Sequence, residues 1–534
     1  MQRSKTVRVY NNIFGNVNPP APSPTPVTQP LPGAGQVPNY GGGYAWKLDK
    51  WKLLERFLIL GTEGGTYYTS EQKLTKDNAL SAVACIKENG ERVLDIVVDI
   101  SQSGRANKND PALFVLALCS VAPDLLTRQR AYYVLTAVAR TSTHLFHFLE
   151  YRKQFAGWSA GLRNGVTHWY NARSVHSLAT QLVKYRQRDG WTHADVLRLG
   201  HVKPPDALHS SIYRWAIKGS PIPEQPVIQA YEEAKNASES RLIELITKAS
   251  LPWEAVPTDK LTKDVWSALL HNMQYEAMTR NLATMTVKGV LSKGSSETTM
   301  VCERFRNADQ IRESRLHPIK ILNAMMIYAQ GHSFKGEQKW TPVQSIVDAL
   351  SDAFYASFGN VTPTLRRLIL GIDISGSMSG SHSSGLPYIS CATAAAVLAL
   401  VTANVEKDYE IFGFDHALRR LNINPNMRLD AVMKEMGGWR GGSTDCSKPI
   451  VYATQNRIPA GGFLIYTDNE TNSGIHPSSA LRRHREVLVS DAKMAVIGMV
   501  ANPFSIADSN DAGMMDFIGF DMNTPQAISQ FIIG

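Results

Sequence analysis

Five oxygen-bearing side chains in the last third of the chain have the types and spacing to hold a cation. Asp373, Ser375 and Ser377 lie in DISGSMS, Thr444 lies in GGSTDC, and Asp468 lies in TDNE. Carboxylates and hydroxyls without thiolate or imidazole suit a hard divalent ion such as Mg²⁺, which takes oxygen ligands in near-octahedral geometry. A lone DxSxS is common in loops. All three fragments in order, each tied to the end of a strand, make a strong signal. Asp415 and Asp445 are acids nearby that the pattern does not claim, and a surface position is expected for both.

A second candidate lies between Arg152 and Arg188. Arg152, Lys153, Arg163, Arg173, Lys184, Arg186 and Arg188 fall there with no Asp or Glu among them, interleaved with Phe155, Trp158, Trp169, Tyr170 and Tyr185. Cations neutralise phosphates and aromatic rings stack on unpaired bases, so the mixture suits RNA. At helical spacing Val175, Leu178, Leu182 and Tyr185 share an apolar stripe, and Ser177, Gln181, Lys184 and Arg188 share the opposite face. Lys184 and Arg188 then stand at i,i+4, with no acid on that helix to pair with. Thr192 and Asp195 have capping-box spacing, and Gly200 ends the short helix that follows, leaving His201 and Lys203 on a loop. Trp158, Trp169 and Trp191 are expected in the core.

The elements that must position these residues divide the chain in two. Residues 1–44, rich in Pro, Gly, Asn and Thr, read as a flexible arm with little to bury. Residues 45–362 are helical throughout. PALFVLALCSVA, RQRAYYVLTAVAR, SVHSLATQLVKYRQR and DALSDAFYASF carry apolar residues at helical spacing between short polar breaks. Many short helices in series point to an all-α, HEAT-like helical-repeat solenoid. Residues 363–534 change character. The apolar runs LRRLILGIDIS, DYEIFGFD, GGFLIYTDNE and KMAVIGMVA alternate with SCATAAAVLALVTAN, RLDAVMKEM and ALRRHREVLVSD, the signature of βαβ units in an α/β doubly wound sheet. Ligands of such sheets gather outside the carboxyl ends of the strands, which is where the five oxygens fall.

Composition bounds the function classes. A chain of 534 residues exceeds one hydrophobic core. The net charge of +9 favours a polyanionic partner. No apolar run reaches the roughly 20 residues of a membrane span, and the first twenty residues do not read as a secretory signal. Five scattered cysteines without a CxxC pair argue against a disulfide framework or a zinc site, so a cytoplasmic protein is expected. No Ser-His-Asp set or GxxxxGK[ST] loop is present, and GTEGG (61–65) reads as a turn. The metal set has no His or Glu to serve as a base, so a metal-dependent nuclease or phosphatase is the weakest reading and no enzyme is expected.

The order Asp373-x-Ser375-x-Ser377, Thr444, Asp468 resembles the metal-ion-dependent adhesion site of von Willebrand factor A domains, over residues 364–534. That resemblance carries those five residues over as ligands and implies binding without turnover, since the ion there often completes its shell with a partner's carboxylate. KYRQRDGWTHADVLRLGHVKP (184–204), RFLILGTEGGTYY (56–68), GLRNGVTHWY (161–170), TRNLATM (279–285) and RLHPIKILNAMMIYAQG (315–331) resemble the TROVE module of the Ro autoantigen family, over residues 46–360. A von Willebrand A-like domain follows that module in the family too. The resemblance implies a monomeric ring of helical repeats bridged by the second domain. It also implies noncoding Y RNA on the outer surface, contacted by Lys184, Arg188 and His201. Single-stranded 3′ ends of misfolded RNA would enter the central hole. RNA quality control, stress response and an exonuclease partner such as polynucleotide phosphorylase follow from bacterial members. The alternative is a metal-dependent protein–protein adhesion module whose basic surface is incidental.

Overall fold

A computed structural model describes residues 24–61, 79–106, 108–314, 316–333, 337–358, 361–380, 390–436, 442–500, 502–518 and 523–534. The first half of the arm and most of the GTEGG turn lie outside the described residues.

The described part of the arm is structured. Strand β1 (Gln36–Pro38) pairs antiparallel with β2 (Tyr44–Lys47), and β2 pairs in turn with a short strand of the second domain, Phe504–Ser505. Val27 is fully buried, its N–H donating to the Gly474 carbonyl at 3.0 Å. The expectation of a flexible arm over 1–44 is thereby corrected for residues 24–44. Composition offers this segment few apolar side chains, but its backbone and Asn39 find partners on a distant loop.

Beyond β2 the described chain is a series of helices packed on their neighbours. The helix Leu80–Ser103 packs on Lys50–Leu60 and on Asp110–Cys119, which packs on Ser142–Lys153. Further on, Glu239–Ala249 packs between Pro226–Ala234 and Lys263–Asn272, and Gln344–Ser357 packs on both Ser296–Arg306 and Pro318–Gln330. Short side chains start many of these helices. Asp49, Asp124, Thr141, Ser159, Ser174, Thr192, Asp206, Ser238, Thr262 and Ser295 each accept a hydrogen bond from a first-turn N–H that has no partner inside its helix. The paired strands β3 (Gln187–Arg188) and β4 (Trp191–Thr192) interrupt the pattern. The far ends of the series meet, since His317 Nε2 lies 3.4 Å from the Arg105 carbonyl, 212 residues away in sequence.

The second domain is a six-stranded sheet built from β5 (Leu368–Asp373), β6 (Tyr409–Phe414), β7 (Leu418–Arg420), β8 (Gly462–Thr467), β9 (Lys493–Gly498) and β11 (Met514–Ile518). The strand Phe504–Ser505 is β10. The order is β11-β9-β8-β5-β6-β7, parallel throughout except for β7 at one edge. β5 and β8 are buried at every residue, as continuous apolar runs covered on both faces must be. Strand order turns around at β5, which has β6 on one side and β8 on the other. This places a topological switch point at the carboxyl ends of β5 and β8.

This domain bridges both ends of the helical series. Arg56, on the first described helix, is 1% exposed and forms a two-pronged pair with Asp516 of β11, at 2.8 and 2.7 Å. At the other end Arg428 pairs with Asp348 at 2.7 Å, and the Thr362 N–H donates to Gln526 Oε1 at 2.8 Å.

Candidate functional site

Asp373 is the last residue of β5, and Asp468 directly follows β8, so the pairing of these strands brings their carboxylates to one crevice. Asp373 Oδ1 accepts from the Ser375 N–H at 2.9 Å, and its Oδ2 accepts from Thr467 Oγ1 at 2.6 Å. The Ser375 and Ser377 hydroxyl oxygens are 3.1 Å apart. Asp468 Oδ1 accepts from the Glu470 N–H at 3.0 Å, while its buried Oδ2 has no hydrogen-bond partner. Thr444 is joined to the loop after Asp468 through its backbone: its carbonyl accepts from the N–H groups of Asn472 and Ser473 at 2.9 Å each, and its N–H donates to Asn472 Oδ1 at 2.8 Å. Asp373, Ser375, Ser377, Thr444 and Asp468 are all buried.

The electrostatics are those of a cavity short of positive charge. Burial, then the Asp468 carboxylate, push the Asp373 carboxyl up to about 7. Burial, then Asp468, raise Glu470 to about 8, and burial raises Asp468 itself. Two adjoining carboxylates cannot both ionise cheaply without a counter-charge. The orphan Oδ2 of Asp468, the Asp373 carboxylate and the hydroxyls of Ser375 and Ser377 are donors of the kind a hard cation takes. Among the described residues no group of three or more His, Cys, Asp and Glu could hold a metal. A centre here rests on two carboxylates completed by hydroxyls.

Asp415 and Asp445 depart from their expected surface positions. Asp415 is fully buried, accepting from the Ala417 N–H at 2.7 Å and pairing with Arg419 at 2.9 Å. Asp445 is 6% exposed, and its Oδ1 accepts from both Ser447 Oγ, at 2.5 Å, and the Ser447 N–H. Both brace loops at the carboxyl edge of the sheet, where backbone N–H groups need acceptors. The residues behind the site went unread from the sequence. Asn502 Nδ2 donates to the Asp468 carbonyl and to Glu470 Oε1, while its own carbonyl accepts from Arg56 Nη1 at 2.5 Å. The Gly41 N–H donates to Glu470 Oε2 at 2.8 Å. The acid in TDNE was the only signal for any of them.

The basic region departs further. The helix Val175–Lys184 ends at Tyr185, and Arg188 sits in β3, so Lys184 and Arg188 are not i,i+4 neighbours. Nor do they lack acids. Lys184 Nζ lies 4.0 Å from Glu254 Oε1, and Arg188 Nε lies 3.9 Å from Asp189 Oδ1. Tyr185 leaves the helix so that its carbonyl can meet His193 Nε2 at 3.1 Å, and the chain then reverses through Asp189 and Gly190, both at positive φ. Arg188 and His201 are exposed and Lys184 is half-buried. The Thr192–Asp195 capping box is present, with both of its hydrogen bonds.

Other cations of the run are engaged in structure. Arg152 is buried on the Ala156 and Gly157 carbonyls. Arg173 lies 3.5 Å over the Trp169 ring and donates to the carbonyls of Trp169, Ala139 and Arg140. Arg163 donates to the Leu199 carbonyl at 3.3 Å. Trp169 is core, while Trp158 and Trp191 are half-buried and meet edge to face at 6.3 Å.

Comparison with known proteins agrees with this architecture. A TROVE domain model matches residues 37–250 and 246–327, and a Ro60 vWA domain model matches residues 367–532. The chain is 36% identical to the RNA-binding protein RO60 of Deinococcus radiodurans, over 93% of this chain and 96% of that protein. It is 33% identical to the RNA-binding protein RO60 of Caenorhabditis elegans, over 94% of this chain and 90% of that one. The crystal structure of the Deinococcus radiodurans Ro (RSR) protein superposes with a TM-score of 0.71 at 36% identity, covering 91% of this chain and all of that one. No helix among the described residues is long and apolar enough to cross a membrane. With both domain models matched in order, and relatives matched over nearly their whole length, the chain belongs to the Ro60 family.

Proposed function

We propose that this protein is a noncatalytic RNA-binding scaffold. It holds a noncoding Y RNA on the outside of its helical domain and takes single-stranded 3′ ends of misfolded RNA into the central hole, in RNA quality control and stress response. The observation that carries the reading is the near-full-length similarity to two proteins named as RNA-binding. The exposed side chains of Arg188 and His201, with Lys184 close by in sequence, supply cations and a donor at the positions the family resemblance assigns to RNA.

The crevice between β5 and β8 is proposed as a divalent cation site, Mg²⁺ fitting its donors, held by Asp373, Ser375, Ser377, Thr444 and Asp468. A bound cation would supply positive charge and an open coordination position for an acidic group on a partner protein, an exonuclease being the implied class. The unpartnered Asp468 Oδ2 supports cation binding.

The test is binding of a structured RNA with a single-stranded 3′ tail across a salt series, for wild type and for Lys184→Ala/Arg188→Ala/His201→Ala. Salt-sensitive wild-type binding, weakened in the variant with the RNA left intact, supports the scaffold. Absence of wild-type binding to this RNA and to a Y-like RNA overturns it and leaves the metal-dependent partner module.

A further inference from the structure

Beside Lys184 lies a cavity of about 340 Å³, within the roughly 300–1,000 Å³ usual for ligand pockets. Its wall brings together Arg186, just before β3, with Tyr231 and Lys235 at the end of one helix and Trp253 and Glu254 in a following turn. The chemistry of these side chains is selective. Tyr231 is nearly buried, with the Lys235 ammonium 4.6 Å and the Arg186 guanidinium 5.4 Å from its ring centroid. Arg186 Nη1 donates to the Tyr231 hydroxyl at 2.7 Å. Trp253 is stacked on the buried Trp266, with ring centroids 5.9 Å apart and planes at 26°, so its indole is held at a set angle. Glu254 Oε1 faces Lys184 Nζ at 4.0 Å, and Glu254 Oε2 is buried with no hydrogen-bond partner.

An occupant that satisfies all of these groups is anionic at one end, flat and aromatic in the middle, and rich in N–H donors at its edge. A nucleotide has that design. Its phosphate would meet Arg186 and compete with Glu232 for the Lys235 ammonium, which that carboxylate holds at 2.6 Å. Its base would lie against the aromatic side chains, and its edge would donate to Glu254. Guanine presents two adjacent donors, N1–H and the N2 amino group, that match the two oxygens of one carboxylate once the Glu254 side chain, whose Oε2 is buried, turns into the cavity. The other bases have a single donor group on that edge. We propose that this cavity captures one unpaired guanine nucleotide of a bound RNA strand, with Glu254 as the specificity-determining residue. This rests on the RNA-binding reading above and adds a base preference and a place for it. Glu254 is remote in sequence from the basic run, and the fold sets its carboxylate against Lys184.

The experiment uses the full chain and fluorescent five-nucleotide RNAs, UUGUU, UUAUU and UUIUU (I, inosine), read by anisotropy for wild type, Glu254→Gln and Arg186→Ala. A hairpin with a single-stranded tail serves as a general RNA control. The expected result is about ten-fold tighter wild-type binding of UUGUU than of UUAUU, the scale of one good bidentate base contact. Inosine, lacking the N2 amino group, loses most of that preference. Glu254→Gln removes the preference while leaving hairpin binding in place. Arg186→Ala weakens all three oligonucleotides alike and lowers the salt slope by about one. Hairpin binding by wild type with equal affinity for the three oligonucleotides overturns the guanine site and leaves the scaffold standing. No binding of any RNA overturns both. Free GMP displacing UUGUU at matched concentration would make the pocket a site for free nucleotides and overturn the RNA-strand version. Should Glu254→Gln fail to fold, the wild-type comparison of guanosine with inosine decides alone.

Discussion

One oxygen of Asp468 is buried without a partner, while two further carboxyls crowd the residue. Addition of Mg²⁺ is expected to raise the melting temperature of wild type, since an ion that binds only the folded state stabilises it by mass action. Asp468→Ala should abolish that rise, and a scanning-calorimetry titration of both proteins checks it. An equal shift in the variant would place the ion elsewhere. Three histidines of the helical domain make a separate, signed prediction. Burial lowers His193 and His317 to about 3 and His144 to about 4. Each is neutral in the fold and takes up a proton on unfolding below about pH 6.5. Stability from these groups is thus complete above pH 6.5 and is lost as pH falls toward their folded values. At pH 5 each costs on the order of 2 kcal/mol. Asp373 and Glu470, raised by burial, take up protons in the fold over the same range and oppose this. The check is therefore the urea midpoint of wild type relative to His317→Gln, which should fall between pH 6.5 and 4.5; an unchanged difference would sink the account.

The segment 24–48 is held against the second domain by a close backbone approach. A Cβ on Gly43 would stand 2.0 Å from the Thr471 carbonyl oxygen, and backbone on both sides prevents escape. Gly43→Ala should therefore lift β1 and β2 from the loop after Asp468, at a cost of about 1–3 kcal/mol. Limited proteolysis should then cut within residues 24–48 in the variant and spare them in wild type. The β3–β4 pair shows where helical periodicity misleads. Val175, Leu178 and Leu182 do lie on one helix, two of them fully in the core. The same projection carried on to Arg188 fails because Tyr185 ends the helix, and two positive-φ residues then turn the chain. The α/β domain was more legible. β5, β6, β8 and β9 lie inside the apolar runs read as strands, because a strand buried on both faces has no polar alternation to confuse it. β7 and β11, short or half-exposed edge strands, left no such trace.

Over the whole molecule, Arg56 is the residue on which the two domains turn. Its guanidinium is buried between the first described helix and β10–β11, bonded to Asp516 and to the carbonyls of Asn502 and Phe504. Breaking a buried pair from one side leaves an uncompensated charge, typically about 3–5 kcal/mol. Arg56→Ala is expected to separate the unfolding of the helical and α/β parts into two calorimetric transitions. A single transition at the wild-type temperature would show that the domains are held by other contacts. By itself the sequence determined the two-part architecture and the βαβ alternation. Local periodicity and motif spacing act within a few residues, and strand ends converge once a parallel sheet is granted. Only the tertiary structure decided the rest. Glu254 comes to Lys184, Arg56 to Asp516, Asn39 to the loop after Asp468, and Arg105 to His317. These contacts span 70 to 460 residues, and they depend on how helices stack and close, which no local pattern encodes.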